Sequence, residues 1–85
     1  LDDKMKTLDL HGVKHENVET QVIAFAHRTE APFKIITGNS QRMKDLVRQV
    51  LTRFDLDAYE ESDRNRGALI VVDPPKKFTH IRDLF

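Results

Sequence analysis

The sequence predicts a two-layer α/β sandwich in which two helices cover one face of a mixed four-stranded sheet. Its 85 residues suffice for one small domain with a thin core. Short strand-like runs and amphipathic helical stripes follow one another in the order β-α-β-α-β-β. Each helical stripe also comes directly after a strand and a glycine. A right-handed crossover then makes the first two strands parallel, with their carboxyl ends at the same edge of the sheet.

The first strand is predicted over residues 7–12. Leu8 and Leu10 point to one face and Asp9 and His11 to the other, because side chains alternate along a strand. Gly12 ends the strand, since glycine allows a tight turn. A first helix is predicted over residues 15–28 from the spacing of its apolar side chains, which are Val18, Val22, Phe25 and Ala26.

A second strand is predicted over residues 33–37, followed by a turn at Gly38 and a second helix. Asn39 or Ser40 is the expected N-cap of this helix. The apolar stripe of the second helix contains Met43, Leu46, Val47, Val50, Leu51 and Phe54. The basic side chains Arg42, Lys44, Arg48 and Arg53 are expected off this stripe.

The last part of the domain is predicted to be a pair of strands. Residues 56–61 alternate as a strand buried on one side, and residues 68–72 form a continuous apolar run typical of a buried strand. We predict a single domain over residues 1–85, with its core in 5–73 and a basic and apolar tail in 74–85. Phe78, Ile81 and Phe85 have near-helical spacing, so the tail is expected to dock as a short helix or to bind a neighbouring chain.

Composition restricts the classes of function. The formal net charge is zero, so any surface that binds nucleic acid must be local. The chain has no cysteine, which excludes disulfides and thiolate metal sites and fits a reducing compartment. No hydrophobic run is long enough to cross a membrane. We therefore expect a cytoplasmic location and no membrane partner. Because the first residue is leucine, we also expect the chain to be a segment of a longer protein.

The predicted topology places two strand-to-helix turns, at residues 11–12 and 37–40, at the same end of the sheet. The second helix directs its amino end toward that edge, where unpaired backbone N–H groups and the helix dipole favour a phosphate. Asp9 and His11 would therefore lie beside an anion site.

Three stretches of this chain resemble the small MutS-related (Smr) domain family. They are Leu8-Asp9-Leu10-His11-Gly12, Ile35-Ile36-Thr37-Gly38 and Gly67-Ala68-Leu69-Ile70-Val71. The resemblance extends over residues 7–72, and the first string matches the family's most specific motif in full. It implies a sandwich similar to the carboxyl-terminal domain of translation initiation factor three. It also implies nucleic-acid binding and, as in several members, endonuclease or nicking activity on DNA or RNA.

The resemblance assigns the family's Asp-x-His pair to Asp9 and His11. Its second motif falls on the 37–40 turn, where this chain differs from the family at two positions. Asn39 stands where lysine is common, and Ser40 replaces the second glycine. The expected phosphate- and nucleic-acid-binding residues are Gly12, Thr37, Gly38, Asn39, Ser40, Arg42, Lys44, Arg64 and Arg66.

Phosphodiester cleavage needs a base, an acid and donors for the developing charge. Histidine titrates near neutral pH, so we hypothesise that His11 is the general acid or base and that Asp9 supports it. We predict no cofactor and no metal site, because Asp9, His11 and His15 lack the helical His-x-x-x-His spacing of a zinc site. His15 is expected to be an exposed residue at the start of the first helix.

Two other classes of function stay open. A non-catalytic module would use the same face to dock on DNA, RNA or a ribosome, and the altered Asn39 and Ser40 favour this reading. A protein-interaction module would instead use the apolar residues of the tail, 78–85.

Overall fold

A computed structural model describes residues 5–62 and 64–74 of the chain, and it confirms the predicted mixed four-stranded sheet with two helices. The elements are β1 Thr7–Asp9, α1 His15–Arg28, β2 Phe33–Ile36, α2 Gln41–Arg53, β3 Asp57–Glu60 and β4 Ala68–Val72. The predicted tail from residue 75 onward lies outside the described residues. None of the helices in the described ranges is long and apolar enough to cross a membrane.

The strand order is β1-β2-β4-β3, with β1 and β2 parallel and the other neighbours antiparallel. The carboxyl ends of β1, β2 and β3 and the amino end of β4 therefore share one edge of the sheet. Three connecting segments meet there: residues 10–14, residues 37–40, and the β3-β4 connection as described for residues 61–62 and 64–67. We call this the turn edge. Both helices begin at the turn edge, as the sequence predicted for the second one.

Strand β1 ends three residues earlier than predicted, at Asp9 rather than Gly12. Its carboxylate Oδ1 accepts a hydrogen bond of 2.9 Å from the backbone N–H of His11, which turns the chain away from the sheet. Gly12 follows with a φ of +83°, a left-handed conformation that glycine adopts without strain. His11 therefore lies in a turn and not on the strand.

One hydrophobic core fills the space between the sheet and the helices, as expected from the apolar stripes. Its members are Leu10, Val18, Val22, Phe25, Phe33, Ile35, Met43, Val47, Val50, Leu51, Leu69 and Val71. Phe25 of α1 packs edge-to-face on Phe33 of β2, with ring centroids 5.1 Å apart. Strand β4 is buried over most of its length, which confirms that prediction.

The start of α2 confirms the predicted cap, because the Ser40 hydroxyl oxygen accepts a 3.1 Å hydrogen bond from the Met43 N–H. The prediction that Lys44 lies off the apolar stripe of α2 is wrong. Lys44 lies on the inner side of α2 and is only 5% exposed. Its aliphatic stem lies under the helix while its ammonium reaches the Glu60 carboxylate at 3.0 Å.

Helix α2 ends in a Schellman motif. The Leu56 N–H donates to the Leu51 carbonyl and the Asp55 N–H to the Thr52 carbonyl, each at 3.0 Å. Asp55 has the left-handed φ of +59° that this motif requires. The motif turns the chain from α2 into β3 at the edge of the sheet opposite the turn edge.

Candidate functional site

Backbone hydrogen bonds link the segments of the chain that meet at the turn edge. The Leu10 N–H donates to the Ile36 carbonyl at 2.9 Å, which joins the first turn to the end of β2, just before the second turn. The Gly67 carbonyl accepts from the N–H groups of Thr37 at 2.8 Å and Gly38 at 3.0 Å, which joins the second turn to the third. The three turns therefore form one continuous surface.

Asp9 and His11 are both exposed on the first turn. The contact between them is the hydrogen bond from the His11 backbone to Asp9 Oδ1. Among the described residues, no hydrogen bond joins the His11 ring to the Asp9 carboxylate. The carboxylate therefore shapes the turn, while the imidazole stays open to a bound molecule.

Two of the predicted phosphate ligands serve the fold. Thr37 is only 3% exposed, and its hydroxyl donates to the Gly38 carbonyl at 2.9 Å. The backbone N–H groups of Thr37 and Gly38 are both bonded to Gly67. These two amides are thus already occupied, and an incoming phosphate would have to displace the Gly67 carbonyl to reach them.

The amino end of α2 is more accessible to an anion than the amides of Thr37 and Gly38 are. Asn39 and Ser40 are exposed, and Gln41 and Arg42 begin the helix on the exposed side. The first N–H groups of a helix lack partners within the helix, and they carry the positive end of its dipole. The phosphate site predicted for residues 38–40 would therefore use residues 39–42 in preference to the amides of Thr37 and Gly38.

Gly67 has a structural role that the sequence analysis did not assign. A Cβ atom placed on it would lie 3.3 Å from the Cα and carbonyl carbon of Gly38. The two backbones approach closely, so a side chain at position 67 would push the second turn outward. A glycine at the start of a buried strand is the sequence signal for such an approach.

Glu60 at the end of β3 is the second residue that the sequence analysis missed. One of its oxygens lies 3.0 Å from Lys44 Nζ and the other lies 3.8 Å from Arg66 Nε. The hydrogen bond from Lys44 lowers the pKa of the Glu60 carboxyl, and the charges of Lys44, Arg66 and Arg48 act in the same direction against partial desolvation. Lys44, predicted as a phosphate ligand, is therefore neutralised within the fold.

This ion pair predicts a pH dependence of stability. Because the pKa of Glu60 is lower in the folded protein than its ordinary value of 4.5, the unfolded chain binds more protons in acid. The contribution is complete above pH 4.5 and is lost as the pH falls through the folded-state pKa. Urea unfolding between pH 6 and 3 should show a smaller loss of unfolding free energy in Glu60→Gln than in the parent.

The matched control for this measurement is Glu61→Gln, at the adjacent position, where the carboxylate pairs with the more exposed Lys34 at 3.2 Å. This variant should retain the acid-side loss that depends on Glu60. Equal pH profiles for the parent and Glu60→Gln would contradict the assignment.

The remaining predicted cations lie on the outside of the turn edge. Arg42, Arg64 and Arg66 are exposed, and the Arg66 side chain keeps 62% of its surface accessible despite its contact with Glu60. They are three positive charges on a chain whose formal net charge is zero. The carboxylates of Asp9, Glu60 and Glu61 lie at the same edge, so a phosphate backbone would meet individual exposed arginines and not a surface of one charge.

His15 is exposed at the first position of α1, as expected. Within residues 5–62 and 64–74, no three His, Asp or Glu side chains are grouped so as to hold a metal ion.

Comparisons of this chain with protein-family models, with curated proteins and with solved structures found no match. A function for the turn edge is therefore inferred from the residues that lie there and from the sequence of residues 8–12.

Proposed function

We propose that this chain is an Smr-like nucleic-acid-binding domain that cleaves phosphodiester bonds of DNA or RNA at the turn edge. The observation that carries the proposal is the position of Asp9 and His11, whose turn is bonded through Leu10 to the end of β2. That strand leads directly into the exposed amino end of α2. This connection supports an arrangement in which His11 acts on a phosphate bound at the start of α2.

In the proposed reaction, the amino end of α2 and Arg42 bind the phosphate, and Arg64 and Arg66 bind the neighbouring backbone. The nucleophile, a water or a ribose hydroxyl, gives its proton to a base and attacks phosphorus, and the leaving oxygen receives a proton from an acid. His11 acts in one of these two steps. The second oxygen of Asp9 is not used by the bond to the His11 backbone, and in the proposed reaction it accepts from the imidazole once the ring turns toward it.

The alternative is a docking module that binds nucleic acid or a ribosome without cutting. Two observations favour it. The Asp9 carboxylate is bonded to a backbone N–H rather than to the His11 ring, and the amides of Thr37 and Gly38 are bonded to Gly67. Both reduce the groups that are ready for catalysis, while the exposed cations needed for binding remain.

The two functions separate in one experiment. The full chain and an Asp9→Ala/His11→Ala variant are incubated with end-labelled single- and double-stranded DNA and RNA, with and without EDTA. Cleavage by the parent, retained in EDTA and absent in the variant, supports the metal-independent nuclease. Binding by both proteins with no cleavage supports the docking module, and no binding by the parent overturns the proposal.

The product identifies the nucleophile. A 2′,3′-cyclic phosphate would show attack by the ribose hydroxyl and hence an RNA substrate. A 5′-phosphate, or a 3′-phosphate on DNA, would show attack by water; on RNA a linear 3′-phosphate also arises when the cyclic phosphate is hydrolysed. We retain the cytoplasmic location as a prediction from composition.

A further inference from the structure

A groove of about 530 Å³ lies at the edge of the sheet opposite the turn edge, away from the proposed nucleic-acid site. It opens between the α1-β2 connection and the Schellman turn that ends α2. Half-buried apolar side chains line part of it, namely Ala31, Phe54 and Leu56. The His27 ring packs edge-on against Phe54, with centroids 5.3 Å apart, and supports this part of the wall.

The groove is acidic. Glu30, Asp55 and Asp73 contribute exposed carboxylates from three different segments of the chain. No basic side chain among the described residues lines it. A combination of apolar wall and carboxylate rim fits a peptide that carries both basic and apolar side chains.

We propose that this groove binds the chain's own carboxyl-terminal residues, 75–85. The segment has the required chemistry, with the basic side chains Lys76, Lys77 and Arg82 and the apolar side chains Phe78, Ile81, Leu84 and Phe85. Its sequence thus matches both the rim and the wall.

Chain connectivity supports this occupant over a separate molecule. Asp73 is itself part of the groove, and the described chain reaches Pro74. Consecutive Cα atoms are about 3.8 Å apart, so the Cα of Lys76 lies within about 8 Å of that of Pro74. A tethered segment also binds at a millimolar effective concentration, so modest contacts suffice.

The experiment uses a spin label, because the chain contains no cysteine and a single one can be introduced. In the Thr79→Cys variant of the 85-residue chain, carrying a nitroxide and ¹⁵N, the amide signals of residues 29–31 and 54–56 should be broadened beyond detection. The signals of residues 11–12 and 39–40, at the turn edge, serve as the internal reference and should keep most of their intensity.

Charge reversal provides the matched variants. Glu30→Lys in the groove should restore at least half of the lost intensity, whereas Glu16→Lys, an exposed glutamate in the first turn of α1, should restore none. Salt at 1 M should act like Glu30→Lys, because it screens exposed charges. Unchanged reference signals show that the variants are folded.

Three results would overturn the proposal. The first is no preferential broadening of the groove signals. The second is broadening that Glu30→Lys and Glu16→Lys affect equally. The third is broadening that also occurs when a spin-labelled chain without ¹⁵N is mixed with an unlabelled ¹⁵N chain, since the segment would then come from a second copy. Binding of nucleic acid is not measured, so the outcome is independent of the proposed function.

Discussion

His11→Ala is expected to lower the rate of phosphodiester cleavage about 10²- to 10⁴-fold, the usual contribution of a positioned proton-transfer group. The His11 side chain is exposed and belongs to no part of the core, so the fold should be unchanged. Affinity for the nucleic acid should change little, because the exposed arginines and the amino end of α2 remain. Single-turnover cleavage and a fluorescence anisotropy titration on the same oligonucleotide measure the two effects separately.

The matched control is His15→Ala, an exposed histidine four positions along the chain, which should cut at the parent rate. A His11→Ala protein with parental cleavage would remove His11 from the mechanism. Equal losses in both variants would point to a general effect of surface charge instead.

Two substitutions at Asp9 separate its structural role from its chemical role. Asparagine retains the oxygen that accepts the His11 N–H but lacks the charge, whereas alanine removes both. If the charge supports His11, Asp9→Asn and Asp9→Ala should lose cleavage alike. If Asp9 only shapes the turn, Asp9→Asn should cut like the parent.

The sequence predicted the fold well, because its helices and strands have regular apolar spacing that local rules can detect. The bounds of α1 and β4 agree with the prediction. The predicted end of β1 was wrong because a side-chain hydrogen bond determines where the strand ends. The Asp9 carboxylate takes the His11 N–H, and alternation of side chains gives no sign of that competition.

Lys44 illustrates a different limit. Positions 44, 47 and 51 lie on one face of α2, so helical spacing alone would have placed Lys44 with the buried Val47 and Leu51. Its charge argued against burial, and its partner Glu60 is sixteen residues away in sequence. A buried lysine requires a paired carboxylate, and long-range pairs of this kind are visible only once the sheet is assembled.

The candidate site was predictable as a location but not as a set of ligands. Parallel strands joined by a crossover bring two turns to one edge, whatever the details of those turns. Which amides stay free depends on the third turn. The Gly67 carbonyl, just before the neighbouring strand β4, accepts from Thr37 and Gly38, and this contact moves the expected anion site to the start of α2.

A large effect on stability is expected at Leu10, which lies between the two exposed residues Asp9 and His11. Leu10 is fully buried in the core, and its N–H continues the hydrogen bonding of β1 to Ile36 beyond the end of the strand. Leu10→Ala should lower the free energy of unfolding by about 2–5 kcal/mol, through lost burial and the cavity left behind. Since small domains have only about 5–15 kcal/mol in total, this variant would be close to unfolding.

Urea unfolding of Leu10→Ala and of the control Leu8→Ala tests this prediction. Leu8 is only half-buried, so its loss should be the smaller of the two. A larger loss at Leu8 would contradict the described packing. Cleavage by Leu10→Ala should fall in proportion to its unfolded fraction, and it should recover at a lower temperature at which the variant refolds. His11→Ala should keep its low cleavage rate although it is fully folded. Such a difference would show that adjacent residues of the 8–12 string have separate roles, with Leu10 stabilising the core and His11 taking part in cleavage.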